Sequence, residues 1–365
     1  MTGDQLARPD VASGELVPVQ HVRAVPVPHS PAAPESVWSA IDREVDAATE
    51  EAIQAGVPAN TRRAYARWVR DAEEWCEDRG RVALPMTAET LASYIADVKG
   101  NGLGVSSLRQ AIAAVRSHHA LSGYPEQPPA HLARIIARGH ARELAARGVR
   151  VHQAPPLLRD DLHRMIDVCD PDTLRGRQDR LLLAVGFGGL LRRSEIVGLH
   201  ARDVRPVRPP GEGVELFIAA SKTDKLSEGV TVTVDPVAEH LHDPRSDIAL
   251  ALAAYREARA AAGLGWDGPL LRTIGIGGRV LGPMTGDAVN DLVKDLAGRA
   301  GLAEAELYSA HSLRAGGATQ MYLDGWLLDQ IIERGRWAPG STVVLGYIRS
   351  VSSARRAQMR RAAEP

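Results

Sequence analysis

Four short segments carry the side chains best suited to chemistry, and all lie in the second half of the chain. In one of them, His311, Ser312, Leu313 and Arg314 stand together within SAHSLRAGGATQMYLDG. On a helix His311 and Arg314 are three apart and share a face. A guanidinium offers forked donors, and an imidazole offers a donor or a proton acceptor near neutral pH. The pair therefore suits an anionic oxygen. Gly316, Gly317 and Ala318 follow, small enough to let another backbone or a ligand come close. A surface His–Arg pair would show the same spacing, so this segment alone does not define a site.

The second segment is LLRRSE, from Leu190 to Glu195. Two consecutive arginines follow a strongly apolar run, which places at least one of them at the edge of a core. A charge there needs a partner, either Glu195 or a bound phosphate, and Arg193 is expected in solvent. The third segment, ASKTDKLSEG, joins two β-type runs, Val214–Ala219 and Val230–Val234, and so reads as a hairpin connection. It holds Lys222 and Lys225, two of only four lysines in the chain. A turn lysine can reach into a cleft and protonate a leaving alkoxide, although exposed turn lysines also serve solubility alone. The fourth runs from Arg336-Trp337-Ala338-Pro339 to Val343-Val344-Leu345-Gly346-Tyr347-Ile348-Arg349. Periodicity alone makes Tyr347 a core aromatic with a hydrogen-bonded hydroxyl.

The elements that must position these residues follow from pattern. Residues 1–35 are rich in Pro, Val and Ala without a sustained period, and are expected to form a disordered tail. From Ser36 the pattern is helical. Tyr65, Trp68, Val69, Ala72, Trp75 and Cys76 recur at three- and four-residue spacing behind a capping signal at Asn60 and Thr61. Leu91, Tyr94, Ile95 and Val98 repeat this behind Thr87, and Leu108, Ile112 and Val115 behind Ser106 and Ser107. A fourth helix is expected over Leu132–Ala146. These make a helical domain over residues 36–147. Residues 148–156, ending in two prolines, read as a linker. The remainder, 157–365, is helical around Leu157 and over Asp179–Leu199, then carries the hairpin, then is mostly helical from Asp247. The class predicted is mainly α, with a small antiparallel sheet in a mixed α+β second domain.

Bulk composition sets further bounds. The chain has 365 residues, enough for two cores, and its apolar fraction of 44% is ordinary for a globular protein. No run approaches the roughly 18 apolar residues of a membrane span, and no leader-like basic-then-apolar segment opens the chain, so a cytoplasmic protein is expected. Cys76 and Cys169 have no Cys or His neighbour at metal-ligand spacing, and are expected as buried thiols. The formal net charge of −1 does not announce a nucleic-acid binder. Its distribution is less even. Between Asn101 and Arg150 stand Arg109, Arg116, Arg134, Arg138, Arg142, Arg147 and Arg150 against Glu126 and Glu143. After Tyr347 come Arg349, Arg355, Arg356, Arg360 and Arg361 against Glu364 alone. Such patches suit phosphate, or a solvated helix face. The preference for Arg and Ala over Lys points to a GC-rich bacterial origin.

Taken in order, LLRRSE, a hairpin lysine, HSLR, a tryptophan and GYIR resemble the tyrosine recombinase (phage integrase) family, most closely its Cre-like and Xer-like members. The stretches NTRRAYARWVRDAEEWC and SSLRQAIAAVRSHHALSG are similar to that family's SAM-like core-binding domain. The likeness therefore covers nearly everything except the tail, with a core-binding domain at 36–147 and a catalytic domain at 157–365.

The resemblance implies a site-specific recombinase that cleaves and rejoins DNA through a 3′-phosphotyrosyl bond, without metal, ATP or cofactor. Arg192 and Arg314 would hold the non-bridging oxygens of the scissile phosphate, and Tyr347 would be the nucleophile. Lys222, or Lys225 on the same turn, would protonate the leaving 5′ oxygen. His311 would assist proton removal, Trp337 would donate one hydrogen bond to the phosphate, and Glu195 would orient Arg192. Arg109, Arg116, Arg134 and Arg138 would bind DNA. The partner implied is double-stranded DNA with paired inverted arms, clamped by both domains of a homo-tetramer, with DNA-bending or directionality factors as accessories and a nucleoid location. Two other readings fit the same residues: a type IB-like topoisomerase or resolvase, and a catalytically silent DNA-binding regulator.

Overall fold

The computed structural model describes residues 45–149, 154–207, 213–219, 228–234 and 243–348. The N-terminal tail, residues 150–153 of the expected linker, Lys222, Lys225 and the basic segment from Arg349 lie outside them. The chain divides into two compact units at Val149 and Arg150.

The first unit is helical: α1 Ala47–Ala55, α2 Ala59–Asp78, α3 Ala88–Gly100, α4 Val105–Leu121 and α5 His131–Ala146. The capping expected at Thr87 is present, its side chain accepting from the Thr90 amide. Helix α2 instead begins behind Pro58, and α4 behind Gly104, without side-chain caps. Their positions are set by the buried stripe: Trp68, Leu91, Tyr94, Ile95, Leu108 and Val115 lie within one core. Cys76 is buried in the same core. The Tyr94 hydroxyl donates to Asp71 at 2.6 Å, which satisfies the polar end of a ring otherwise surrounded by apolar atoms.

The second unit begins with α6 Arg159–Asp167 and α7 Leu174–Gly188. The helical pattern predicted as one stretch over Asp179–Leu199 is two helices. Helix α7 stops at Gly188, the chain turns through Gly189, Leu190 and Leu191, and α8 spans Arg193–Gly198. Leu190 has a left-handed backbone, φ 49°. A Cβ on Gly189 would stand 2.7 Å from the Val185 carbonyl oxygen, so the turn admits only glycine there.

A three-stranded antiparallel sheet follows, β1 Val204–Pro206, β2 Val214–Ile218 and β3 Val230–Val234. The predicted hairpin is its β2–β3 pair, with Val214 opposite Val234 and Ile218 opposite Val230. Then come α9 Ile248–Ala261, the two-stranded pair β4 Arg272–Ile274 and β5 Val280–Pro283, α10 Gly286–Arg299, α11 Ala310–Leu323, α12 Leu328–Arg334 and a helical segment at 343–348. Neither β1 nor the β4–β5 pair is apparent in the sequence pattern, because strands of three or four residues are too short to show alternation. The architecture is therefore mainly helical, with small antiparallel sheets in the second unit. No helix among the described residues is long and apolar enough to cross a membrane.

Leu162, Leu181, Val185, Leu216, Leu296 and Leu313 belong to the core of this unit. Two ionisable groups sit in that interior. Burial pushes the Cys169 thiol up to about 12, leaving it unreactive. Burial also pushes the Asp179 carboxyl up to about 7, against the pull of Arg175 and Arg299. The folded chain thus keeps a proton that the unfolded chain releases near pH 4. Stability from this group is full below pH 4, declines as pH rises towards 7, and is level above it. Asp179→Asn should remove the decline, raising stability at pH 8 by at most about 4 kcal/mol and changing little at pH 4. Thermal unfolding of both proteins across that range measures it, and parallel pH profiles would refute the assignment.

Candidate active site

Arg192 occupies the N-cap position of α8 and Glu195 the third residue of that helix. The Glu195 carboxylate accepts from the Arg192 backbone amide at 2.8 Å and from its Nη1 at 2.6 Å. Of the two partners considered for a boundary arginine, Glu195 is therefore in place. The Glu195 side chain is fully buried, while that of Arg192 stays 21% exposed. Burial raises the Glu195 carboxyl, but Arg336 and Arg192 outweigh it and hold it below the usual carboxylate range. Arg193 is exposed, as expected, and pairs with Asp287 at 2.8 Å.

Helix α11 presents the HSLR segment. Ser309 caps it by accepting from the His311 amide at 3.2 Å. His311 is exposed in its first turn, whereas Arg314 is only 3% exposed. The Arg314 guanidinium donates to the Leu190 and Gly335 carbonyls and lies 4.2 Å from the centre of the Trp337 ring. Burial foremost, and Arg192 next, work against its positive charge. The small residues after it serve backbone packing. A Cβ on Gly316 would stand 1.8 Å from the Leu157 carbonyl oxygen, and one on Gly317 2.2 Å from that of Phe187. Those contacts press α11 against the start of the unit and against α7, and so fix Arg314 at the end of α7.

Tyr347 lies on the helical segment 343–348, half-buried against the cluster of Leu190, Ala318, Ile331 and Val344. Its carbonyl accepts from the Thr319 hydroxyl at 3.3 Å, which ties this segment back to α11. Its ring stands 5.5 Å from that of His311 and 6.0 Å from that of Trp337, centre to centre. Burial raises the Tyr347 phenol, while Arg314 and Arg192 pull it down. Desolvation by its neighbours and the charge of Arg314 both lower His311, so the imidazole is neutral at pH 7 and able to accept a proton.

Six of the predicted residues, Arg192, Glu195, His311, Arg314, Trp337 and Tyr347, therefore converge, though they are drawn from positions 192 to 347 of the sequence. One residue of the cluster was given no role by sequence reasoning. Arg336 has a left-handed backbone, φ 54°, and its Nη2 meets Glu195 Oε2 at 2.7 Å. The one signal for it is a charged residue wedged between Gly335 and Trp337. A second feature belongs to the first unit. Arg109, Arg116, Arg134 and Arg138 all line one groove of about 930 Å³ between α4 and α5, together with Ile112 and Ala137.

Comparison with known proteins bears on both units. Residues 52–121 match the phage integrase N-terminal SAM-like domain. The chain is 29% identical over 261 residues to an integrase/recombinase XerD homolog of Selenomonas ruminantium, covering 71% of this chain and 73% of that protein. It is 25% identical over 301 residues to the recombinase Cre of Escherichia phage P1, covering 78% and 82%. Tyrosine recombinase XerC of Xylella fastidiosa matches at 29% over 262 residues, covering 69% and 74%. The SAM-like match at 52–121 and the Xer and Cre relatives aligned along most of its length make the chain similar to tyrosine recombinases.

Proposed function

We propose that this protein is a site-specific DNA recombinase in which Tyr347 attacks the scissile phosphodiester. The observation that carries the reading is the setting of Arg314. Its hydrogen bonds go to two carbonyl oxygens, and Glu195 is engaged with Arg192 and Arg336. A buried cation held by carbonyl dipoles and an aromatic face gains most from an arriving anion. Arg192, more exposed, adds a second guanidinium beside it. Together they would hold the two non-bridging oxygens and stabilise the charge that builds at phosphorus.

In the proposed step the Tyr347 oxygen forms a bond to phosphorus and the bond to the 5′ oxygen breaks. His311 takes the phenolic proton. Lys222, or Lys225 on the same turn, gives a proton to the 5′ oxygen as it leaves. The product is a 3′-phosphotyrosyl bond and a free 5′ hydroxyl, and reversal on a new 5′ hydroxyl rejoins the strand. Bond energy is conserved in the link, so no ATP is required. The arginine-lined groove of the first unit would track phosphates, and a tetramer on paired inverted arms would bring two duplexes together.

A nicked suicide duplex carrying the site that the protein selects from random DNA tests the chemistry. Wild type should form a covalent adduct resolved on a denaturing gel, and Tyr347→Phe should form none. An adduct that persists in Tyr347→Phe would remove the nucleophile. Trp337 can be divided into packing and hydrogen bonding: Trp337→Phe keeps a ring over Arg314, whereas Trp337→Ala also empties about 3 kcal/mol of packing. Thermal stability should fall far more in the alanine variant, while both should slow cleavage. Equal melting temperatures would contradict a packing role. Truncation after Arg349 should weaken tetramer assembly on paired sites more than binding of a monomer to one arm. Sedimentation of the two complexes checks this, and full assembly by the truncated protein would refute it.

A further inference from the structure

Arg336 is bound into the site more tightly than its place in the sequence requires. Its side chain is 7% exposed. Nη2 donates to Glu195 Oε2 at 2.7 Å and to the Leu190 carbonyl at 3.2 Å. Nη1 donates to the carbonyls of Gly189 at 3.2 Å and Arg334 at 2.9 Å. Its backbone is left-handed, a conformation that a residue with a Cβ adopts at a cost, and so is that of Leu190, whose carbonyl it meets. Two strained residues thus face each other across one carbonyl and one carboxylate. The carbonyl also serves Arg314, and the carboxylate also serves Arg192.

From this geometry we infer that Arg336 is a positioning residue for DNA cleavage, fixing Glu195 and the Leu190 carbonyl and, through them, the two guanidiniums that meet the phosphate. The inference rests on the recombinase reading above. Its physical basis is a division of charge. Glu195 alone would neutralise Arg192, leaving that guanidinium little attraction for an anion. Shared between Arg192 and Arg336, the carboxylate orients Arg192 while three guanidiniums, counting Arg314, stand against one carboxylate. Arg336 also holds both sides of the turn that aims the Leu190 carbonyl at Arg314. A lysine could not replace it, because one ammonium cannot span Glu195, Gly189 and Leu190 in a fixed fork.

The test measures single-turnover cleavage of the nicked duplex described above, together with its dissociation constant. Arg336→Gly removes the side chain and suits the left-handed backbone. It should cleave about tenfold slower or worse while binding DNA within about threefold of wild type, because the effect acts on the reacting geometry. Millimolar ethylguanidinium should restore part of the rate in this variant and leave wild type unchanged. In a Glu195→Gln background the further loss on adding Arg336→Gly should shrink to about threefold or less, since the two residues act as one unit. A wild-type rate in Arg336→Gly would overturn the inference. So would a loss that ethylguanidinium does not touch and that is undiminished beside Glu195→Gln. Should Arg336→Gly fail to fold, Arg336→Lys decides: a rate about threefold or more below wild type, at an unchanged melting temperature, supports the inference, and wild-type speed overturns it. An absent adduct in wild type would sink the recombinase reading itself, whereas a normal adduct in wild type and all Arg336 variants sinks this inference alone.

Discussion

One buried positive charge sets the arrangement of the catalytic-type unit. Arg314 is removed from water and must be solvated by protein dipoles, and the dipoles it finds are at the ends of helices. Helix α7 ends at Gly188 and α12 at Arg334, and each leaves unpaired carbonyls just beyond its last turn. Leu190 and Gly335 supply two of these to the Arg314 guanidinium. The negative end of a helix dipole is the natural place for a cation. To aim those carbonyls inward, the chain accepts left-handed residues at Leu190 and Arg336, one beside each helix end. The turn after α7, the end of α12 and the Trp337 ring therefore all meet at a single guanidinium.

The same constraint explains the small residues after Arg314. For the guanidinium to reach both helix ends, the turn of α11 just after Arg314 must lie directly against the neighbouring backbone. Gly316 and Gly317 remove the two Cβ atoms that would collide with the Leu157 and Phe187 carbonyls. Close helix contact and the placing of Arg314 are here one feature, since a shift of α11 would move Arg314 away from its carbonyls. Glu195 completes the frame from the other side. Its buried carboxylate costs desolvation that the Arg192 and Arg336 guanidiniums, with the Arg192 amide, offset.

How far this was legible in the sequence depends on the kind of contact. Helices with a buried stripe, such as α3 and α4, show in periodicity because each core residue repeats one face. The β2–β3 hairpin shows in alternation. Arg192, His311, Arg314 and Tyr347 stand out by residue type and order, and the order is what promotes Tyr347 above an ordinary core aromatic. The turn at Gly189–Leu190 does not show, because a left-handed leucine is held by partners more than a hundred residues away. Arg336 is hidden for the same reason: acceptors that hold it come from α8, from the turn after α7 and from its own helix end. Beyond a charge wedged between Gly335 and Trp337, local pattern does not mark such a meeting. The groove lined by Arg109, Arg116, Arg134 and Arg138 is an intermediate case. Charge clustering marks those residues, but only the packing of α4 against α5 puts all four on one side.

On the proposed chemistry, the electrostatics of Tyr347 and His311 depend on whether a phosphate is present. Without it, the arginines pull the Tyr347 phenol down against burial, and Arg314 helps hold His311 neutral. A phosphodiester anion between Arg192 and Arg314 would absorb much of that positive potential. The arginines could then no longer favour the phenolate as strongly, so they cannot by themselves both clamp the phosphate and activate the nucleophile. The same anion would relieve the repulsion that Arg314 exerts on a protonated His311, raising the imidazole towards its ordinary basicity. The proton acceptor thus becomes stronger at the moment the phenol loses its electrostatic help. In the proposed site the arginine pair and an imidazole in its field would form one coupled device, and the arginines alone would bind the phosphate without readying the tyrosine.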